Sequence, residues 1–229
     1  MHSTLPARSV PGNSLTVACV RAGTFYGPEY VSRLQAAVAR NLTVPHNFVC
    51  LTDRPGEVEC QTLPIPMDLP GWWGKVALFS KEIIPGRILF FDLDTVIVGN
   101  IDDFAKYDGN LAVINPFQPR AGIASAVMNI GPDGRGDVWE KFSLNPDSAI
   151  QFCKTNAVPN WNSGDQRWLE LNLFEYDYWQ TLLPGRLFSY KYHCQTNLPI
   201  NASIVCFHGT PRPHEATHTW LTKHWATSY

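Results

Sequence analysis

Two aspartates separated by one residue follow directly after an apolar run near the middle of the chain. Arg87 to Phe91 (RILFF) comes after the turn signal Pro85-Gly86, and its length and composition are typical of a strand buried on both faces. Side chains two residues apart on an extended strand point the same way, so Asp92 and Asp94 can converge on one hard cation. A DxD also occurs as a helix cap or as a partner of Lys and Arg. We favour a metal site, because an unpaired carboxylate at the end of a buried strand is costly and ligands bind where the strands of open α/β sheets end.

The residues around this pair resemble two families with different chemistry. Val96 to Phe104 (VIVGNIDDF) closely matches the V-x-G-x-I-D-[DE]-[LFW] that follows the DxD strand in GT-A glycosyltransferases, especially glycosyltransferase family 8. Asp92 to Val96 (DLDTV) also satisfies the first motif of haloacid dehalogenase-like phosphatases, in which the first Asp is the nucleophile of an Mg²⁺-dependent reaction. The first resemblance implies that Asp92 and Asp94 bind a divalent metal, with Leu93 among the donor-binding positions.

The elements before the DxD strand are typical of a nucleotide-binding fold. Ser14 to Val20 predicts a buried strand, a loop of small residues follows, and Val31, Leu34 and Val38 mark one face of a helix over residues 28–40. Asn47 to Asp53 predicts a second strand and resembles the family's F-x-x-L-T-D. The resemblance implies that the ends of both strands contact the donor's base and ribose, although an ordinary strand-to-helix connection is the alternative. The implied donor-binding residues are Arg21, Gly23, Thr24 and Asp53.

A lysine lies at the start of a further predicted helix, over residues 71–84. Lys75 falls in the first turn of this helix, where a positive charge opposes the helix dipole, and this indicates an anionic ligand nearby. In the glycosyltransferases that the chain resembles, a Lys or Arg before the DxD strand lies near the donor. The alternative is a solvated lysine, and we expect Trp72 and Trp73 to pack. Residues 61–65 predict an edge strand because of Pro64 and Pro66.

Two segments after the DxD resemble parts of the sugar pocket in the family. Residues 110–115 and 124–131 predict strands, and the second resembles F-N-S-G-V-M, which implies that Asn129 and Gly131 line the pocket; Ser125 could equally serve there. Residues 161–169 resemble D-Q-D-x-L-N, with Ser163 as a helix N-cap. That resemblance implies that Asp165 and Gln166 face the transferred sugar, whereas a first-turn Asp is also simply favourable to a helix.

A histidine follows another apolar run near the carboxyl end of the chain. Residues 204–213 (IVCFHGTPRP) resemble the H-F-x-G-x-x-K-P-W of family 8, although the spacing is compressed and Arg212 stands where the family has Lys. The resemblance implies that His208 is the third metal ligand and that Gly209 and Arg212 contact the diphosphate. Arginine suits a diphosphate because its guanidinium donates several hydrogen bonds in a fixed fork. A lone His at a strand end is usually structural.

The composition limits the kinds of partner and compartment. The chain has 229 residues, of which 45% are hydrophobic and 17% charged, and its formal net charge is −2. This charge offers no basic field for nucleic acid. The six cysteines form no CxxC pair, so we expect buried free thiols, which favour a reducing compartment. The amino terminus lacks the apolar core of a signal peptide and no run is long enough to span a bilayer. The sequence predicts a cytoplasmic protein.

These observations together predict a single α/β domain of GT-A type, Rossmann-like, with a mixed, mostly parallel central sheet flanked by helices. Residues 1–13 predict a flexible tail, residues 14–115 a nucleotide-binding half, and residues 116–229 an acceptor and sugar half that contains His208. The phosphatase family needs its motif on the first core strand and gives His208-Gly209 no role, so we favour the glycosyltransferase. A binding module without turnover stays open.

The activity that the resemblance implies is the transfer of a sugar from a nucleotide-diphosphate sugar, with UDP as the expected nucleotide. The acceptor is a hydroxyl of a glycan, a lipid-linked glycan or a protein, and the anomeric configuration is retained. The implied cofactor is Mn²⁺ or Mg²⁺, because carboxylate and imidazole ligands accept both cations.

Overall fold

The structure is a computed structural model that describes residues 15–157 and 164–225. The predicted tail over residues 1–13 and the predicted N-cap Ser163 lie outside this part of the chain. The strands are β1 (Leu15–Arg21), β2 (His46–Thr52), β3 (Gln61–Pro64), β4 (Ile88–Phe91), β5 (Thr95–Ile97), β6 (Leu111–Ile114), β7 (Ala124–Ile130), β8 (Asp177–Tyr178), β9 (Leu187–Ser189) and β10 (Ile204–Cys206). The α-helices are α1 (Pro28–Asn41), α2 (Asp102–Ala105), α3 (Val138–Leu144), α4 (Pro146–Thr155), α5 (Asp165–Asn172), α6 (Trp179–Leu182) and α7 (Thr219–His224).

The described residues build one large sheet with the strand order β3-β2-β1-β4-β7-β6-β8. The pairs β3–β2, β2–β1, β1–β4 and β6–β8 are parallel, whereas β7 runs antiparallel to both β4 and β6. The predicted mixed, mostly parallel sheet is therefore confirmed. The predicted edge strand is also confirmed, since β3 lies at the end of the sheet, where Pro64 removes no ladder hydrogen bond from a central strand.

Helices cover both faces of this sheet, and β4 shows why its sequence is continuously apolar. Leu89 and Phe91 pack into the core on the side of α1, whereas Ile88 and Phe90 pack into the core on the side of α3, α4 and α5. Successive side chains of a strand point to opposite faces, so a strand covered on both faces needs apolar residues at every position. Strand β4 ends at Phe91, and the next residue, Asp92, is partly exposed.

A second, three-stranded sheet has the order β5-β10-β9 and connects the DxD segment to the carboxyl-terminal part of the chain. Strand β10 runs antiparallel to β5, with Cys206 opposite Thr95, and parallel to β9, with Cys206 opposite Ser189. Because Cys206 lies opposite Thr95, His208, two residues beyond the end of β10, lies at the same end of this sheet as the DxD. The sheet therefore explains how a histidine more than a hundred positions away in the sequence reaches the DxD.

The segment that carries Lys75 differs from the prediction. Residues 71–84 were expected to form one helix, but Gly71–Phe79 is a 3₁₀ helix and the chain then turns towards β4. Almost all of its residues are buried, from Trp73 to Phe79, so the apolar pattern has no 3.6-residue periodicity that would select an α-helix. Tight packing against the sheet on one side and α3 on the other holds this segment in place.

Candidate active site

The described residues enclose a cavity of about 930 Å³ at the carboxyl ends of β1 and β4. Val20 and Ala22 line it from the end of β1, the DxD segment lines it from the end of β4, and α5 contributes its first turn. The carboxyl ends of parallel strands in α/β sheets are where ligands bind, so the position agrees with a binding cavity. Its charged and polar lining residues are Lys75, Asp92, Asp94, Gln118, Arg120, Ser125, Asp165, Gln166 and His208.

The two carboxylates of the DxD have different surroundings. Asp92 is partly exposed and its Oδ1 lies 2.8 Å from Nζ of Lys75. Asp94 is 8% exposed, and its Oδ2 accepts a 2.8 Å hydrogen bond from the hydroxyl of Tyr26. Burial and the neighbouring charge of Asp92 raise the pKa of Asp94 to about 7, against the hydrogen bond from Tyr26. The pair therefore carries negative charge that the protein compensates only in part.

Lys75 bridges the DxD and the first turn of α5. Its Nζ lies 2.8 Å from Oδ1 of Asp92 and 3.3 Å from Oδ2 of Asp165, and it donates a 3.2 Å hydrogen bond to Oγ of Ser125. Burial alone would lower the pKa of Lys75, but the charges of Asp165 and Asp92 raise it above its usual value. Burial likewise raises the pKa of Asp165, although the charge of Lys75 opposes this shift. The predicted anion beside Lys75 is thus supplied, at least in part, by the protein itself.

His208 lines the cavity but does not join the aspartates as a metal cluster. Its Nε2 lies 2.7 Å from Oγ of Ser189, and its ring stacks between those of Phe117 and Tyr192. Burial and the charge of Lys191 lower the pKa of His208. Among residues 15–157 and 164–225, no three His, Cys, Asp or Glu side chains are arranged to hold a metal ion. The imidazole of His208 pairs with Ser189 in this structure, and its role as a third metal ligand beside Asp92 and Asp94 stays a prediction.

The carboxylate pair by itself fits a divalent cation. Asp92 and Asp94 present carboxylate oxygens at the cavity, and such oxygens are the ligands that Mg²⁺ and Mn²⁺ prefer. A cation between them would also remove the repulsion that helps to raise the pKa of Asp94. The donor chemistry of the DxD therefore agrees with the predicted cofactor.

The four residues predicted to contact the donor's base and ribose do not line the cavity. Arg21 is buried, donates from Nε to the carbonyl of Tyr26 and forms a 2.6 Å ion pair with Glu57. The carboxylate of Asp53 accepts two hydrogen bonds, of 3.0 and 3.2 Å, from the amide of Gly23. Thr24 is exposed. These four residues shape the loop after β1, and the cavity itself is lined by Ala22, Phe25 and Tyr26.

Asn129 and Gly131, which the family resemblance places in the sugar pocket, do not line the cavity. Asn129 is fully buried in β7, donates to the carbonyl of Phe104 and accepts a 2.8 Å hydrogen bond from Arg87. It lies four residues, or about 13 Å, along the strand from Ser125. Gly131 packs against the carbonyl of Asn110. The alternative, Ser125, is the residue of this segment that both lines the cavity and contacts Lys75.

Of the five remaining predicted residues, four line the cavity and Arg212 does not. Leu93, Gly209, Asp165 and Gln166 all line the cavity. The guanidinium of Arg212 instead lies over the ring of Phe25, 3.8 Å from its centroid, and lines a smaller adjoining cavity of about 360 Å³. Five further residues line the main cavity although no motif points to them: Phe25, Tyr26, Trp72, Phe117 and Gln118. The sequence signal for four of them is an aromatic side chain, and Gln118 has none.

Solved structures of glycosyltransferases share this architecture. The galactosyltransferase LgtC, solved with donor and acceptor sugar analogues, has a TM-score of 0.59 and 12% identity over 91% of this chain and 93% of its own. GlyE of Streptococcus pneumoniae has a TM-score of 0.58 and 15% identity, over 92% of this chain and 63% of its own. WbbM, a bifunctional glycosyltransferase, has a TM-score of 0.61 and 10% identity, over 96% of this chain and 51% of its own. The chain has the GT-A glycosyltransferase fold. The fold predicted from the sequence is thus confirmed, and the phosphatase alternative is not favoured.

Neither a protein-family model nor a curated protein matches the sequence. Membership of glycosyltransferase family 8 therefore stays a prediction. Within residues 15–157 and 164–225, no helix combines the length and the apolar character that crossing a bilayer needs. All six cysteines are free thiols and only Cys60 is not fully buried, which confirms the prediction from their spacing.

Proposed function

We propose that this protein is a glycosyltransferase that moves a sugar from a nucleotide-diphosphate sugar, a UDP-sugar, to an acceptor hydroxyl. The acceptor classes are a glycan, a lipid-linked glycan or a protein. The observation that carries this proposal is the opening of the Asp92 and Asp94 carboxylates into a cavity of about 930 Å³ at the ligand-binding edge of a GT-A fold. A nucleotide-diphosphate sugar needs a cavity large enough to hold it and groups that neutralise the charge of its two phosphates.

Asp92 and Asp94 are the residues that would hold a Mn²⁺ or Mg²⁺ ion. When bound, the cation would stabilise the negative charge of the departing nucleoside diphosphate. Leu93 and Gly209 line the same cavity beside the pair and would contact the donor. Arg212 would contribute a further positive charge to the diphosphate if its side chain left the ring of Phe25.

Lys75 keeps the two sides of the site in a fixed relation. Its ammonium forms ion pairs with both Asp92 and the buried carboxylate of Asp165, and so holds Asp165 at the sugar side. Gln166 follows Asp165 into the cavity and offers an amide to a sugar hydroxyl. In the described part of the cavity, the lining carboxylates Asp92, Asp94 and Asp165 all have a partner within the protein, so none is a free general base. This agrees with the retention of configuration that the family resemblance implies.

The test is isothermal titration of UDP in the presence and absence of Mn²⁺. We expect binding that requires Mn²⁺ in the wild-type protein, is lost in Asp92→Asn and Asp94→Asn, and is retained in the control Asp133→Asn, which changes an exposed aspartate outside the cavity. Binding of UDP without release of sugar from any UDP-sugar would identify a binding module. Absence of UDP binding, together with Asp92-dependent hydrolysis of an aryl phosphate with Mg²⁺, would overturn the proposal.

A further inference from the structure

Two adjacent tryptophans at the start of the 3₁₀ helix have opposite environments. Trp73 is 4% exposed and stacks on Phe142, with 5.6 Å between the ring centroids. Trp72 is 61% exposed and lines the main cavity. The expectation that both tryptophans pack is therefore wrong for Trp72. Burial of a large aromatic ring stabilises a protein. A ring that the fold leaves exposed at a cavity is therefore a candidate surface for binding a ligand.

The helix type places Trp72 beside the reacting groups. In a 3₁₀ helix, side chains three residues apart lie one above the other, about 6 Å apart along the axis. Trp72 is therefore one turn away from Lys75, on the same side, and Lys75 contacts both Asp92 and Asp165. The indole and these three side chains line the same cavity.

Gly164, the N-cap of α5, lies against the edge of the indole. A Cβ at Gly164 would lie 2.4 Å from Nε1 of Trp72, so a larger residue at this position would require the indole to move. Gln166, in the first turn, and Gln118, in the loop between β6 and β7, line the same cavity as the indole. Their side-chain amides are hydrogen-bonding partners for hydroxyls.

We propose that the acceptor is a carbohydrate and that one of its sugar rings stacks on the indole of Trp72. This inference rests on the proposed function. A sugar ring combines an apolar face of C–H groups with a rim of hydroxyls, which matches a single aromatic ring with polar side chains around it. A lipid chain would need a continuous apolar surface, whereas among the described residues the exposed large hydrophobic side chains that line this cavity are Trp72 and Phe25, and Arg212 covers Phe25.

The proposal is tested on the full chain labelled with 5-fluorotryptophan, in the presence of UDP and Mn²⁺. The fluorine resonance of Trp72 is assigned from its absence in Trp72→Phe. We then titrate the disaccharides lactose, maltose, cellobiose and chitobiose, and in separate samples farnesyl phosphate and a Ser/Thr-rich peptide. We expect a saturable shift of the Trp72 resonance with at least one disaccharide, and no shift of the buried Trp73.

The matched variants are Trp72→Ala and the control Phe174→Ala, which removes an exposed aromatic ring that lies outside the cavity. We expect Trp72→Ala to weaken binding of the active disaccharide about tenfold without changing UDP affinity, and Phe174→Ala to change neither. A shift with farnesyl phosphate or the peptide alone, or with no probe, overturns the carbohydrate assignment. Failure of UDP to bind the wild type would instead contradict the proposed function.

Discussion

The hydroxyl of Tyr26 donates a 2.8 Å hydrogen bond to Oδ2 of Asp94, and so ties the loop after β1 to the DxD. Tyr26 itself is packed by Phe25 and Tyr30. The bond favours the ionised form of Asp94, against burial and the charge of Asp92, which raise its pKa to about 7. The balance between these effects has a measurable dependence on pH.

We expect the metal-free protein to lose stability relative to Asp94→Asn as the pH rises. The pKa of an aspartate in the unfolded chain is about 3.9, whereas the pKa of Asp94 in the folded protein is about 7. The folded state therefore binds the proton more tightly, and the stability that this provides is present below the unfolded pKa and is lost as the pH rises through 7. Thermal unfolding is measured in the presence of a chelator. The Tm of Asp94→Asn should rise relative to that of the wild type as the pH increases from about 4 to about 7.

A second variant, Tyr26→Phe, tests the same dependence of stability on pH. Removing the hydrogen bond to the ionised carboxylate raises the pKa of Asp94 further, so the loss of stability should extend to higher pH than in the wild type. A Tm difference between Asp94→Asn and wild type that does not change with pH would show that the pKa of Asp94 is not raised in the folded protein.

Lys75→Met should destabilise the protein by about 3 to 5 kcal/mol, because it leaves the buried carboxylate of Asp165 without a counter-ion. The double variant with Asp165→Asn should recover part of this loss, since no buried charge then remains at α5. Urea denaturation of the two single variants and the double variant measures the coupling.

The control for this cycle is Lys106→Met, which removes an exposed lysine that lies 3.9 Å from Asp102. Exposed ion pairs contribute about 0 to 1 kcal/mol, so this variant should unfold close to the wild type. Equal effects of Lys75→Met and Lys106→Met would contradict the role assigned to Lys75.

Arg135→Met should be strongly destabilising although Arg135 lies outside the cavity. The side chain is 1% exposed and donates to the carbonyls of Leu78, Ser80 and Gly86, with donor–acceptor distances of 3.1, 2.6 and 2.6 Å. Burial lowers the pKa of this guanidinium to about 10. The substitution leaves three carbonyls without a donor, each at a cost of about 1 to 3 kcal/mol.

Chemical denaturation compares this variant with Arg54→Met, which removes an exposed guanidinium that pairs with Glu57 at the surface. We expect a change of less than about 1 kcal/mol for Arg54→Met. If Arg135→Met is equally mild, the carbonyls between the 3₁₀ helix and β4 have other donors, and Arg135 does not hold this connection.

Gly99→Ala should destabilise the contact between β5 and β10 by about 1 to 3 kcal/mol. A Cβ at this position would lie 2.8 Å from the carbonyl oxygen of Ala202, which is backbone and cannot rotate away. The control is Gly56→Ala, where a Cβ would have no neighbour within 4 Å. Differential scanning calorimetry should find a lower Tm for Gly99→Ala alone, and equal values for the two variants would contradict the close approach.

The sequence predicts the elements of this fold better than it predicts which side chains reach the site. Strand β4 could be located because a strand buried on both faces is apolar at every position and ends where Asp92 becomes partly exposed. The 3₁₀ form of Gly71–Phe79 could not be predicted, because burial on all sides removes the periodicity that identifies a helix.

The sequence predicts the location of motif residues at the ends of strands and helices better than the location of side chains in the adjoining loops. Asp94 and Asp165 line the cavity because their positions follow from the ends of β4 and the start of α5. Arg21 was expected at the donor but turns inward to Glu57, and a sequence does not reveal the direction of a loop side chain. Tyr26 was missed for the same reason, since only the folded loop brings its hydroxyl to Asp94.

The pairing of β5 with β10 has a consequence for biosynthesis. Val96 lies opposite Val205 in this sheet, so the edge of β5 stays without its neighbour until more than a hundred further residues have left the ribosome. Contacts so distant in the chain form late and slowly, and an open strand edge meanwhile invites pairing with other chains. A nascent chain that stalls before Ile204 should therefore contain the DxD but depend on chaperones to stay in solution.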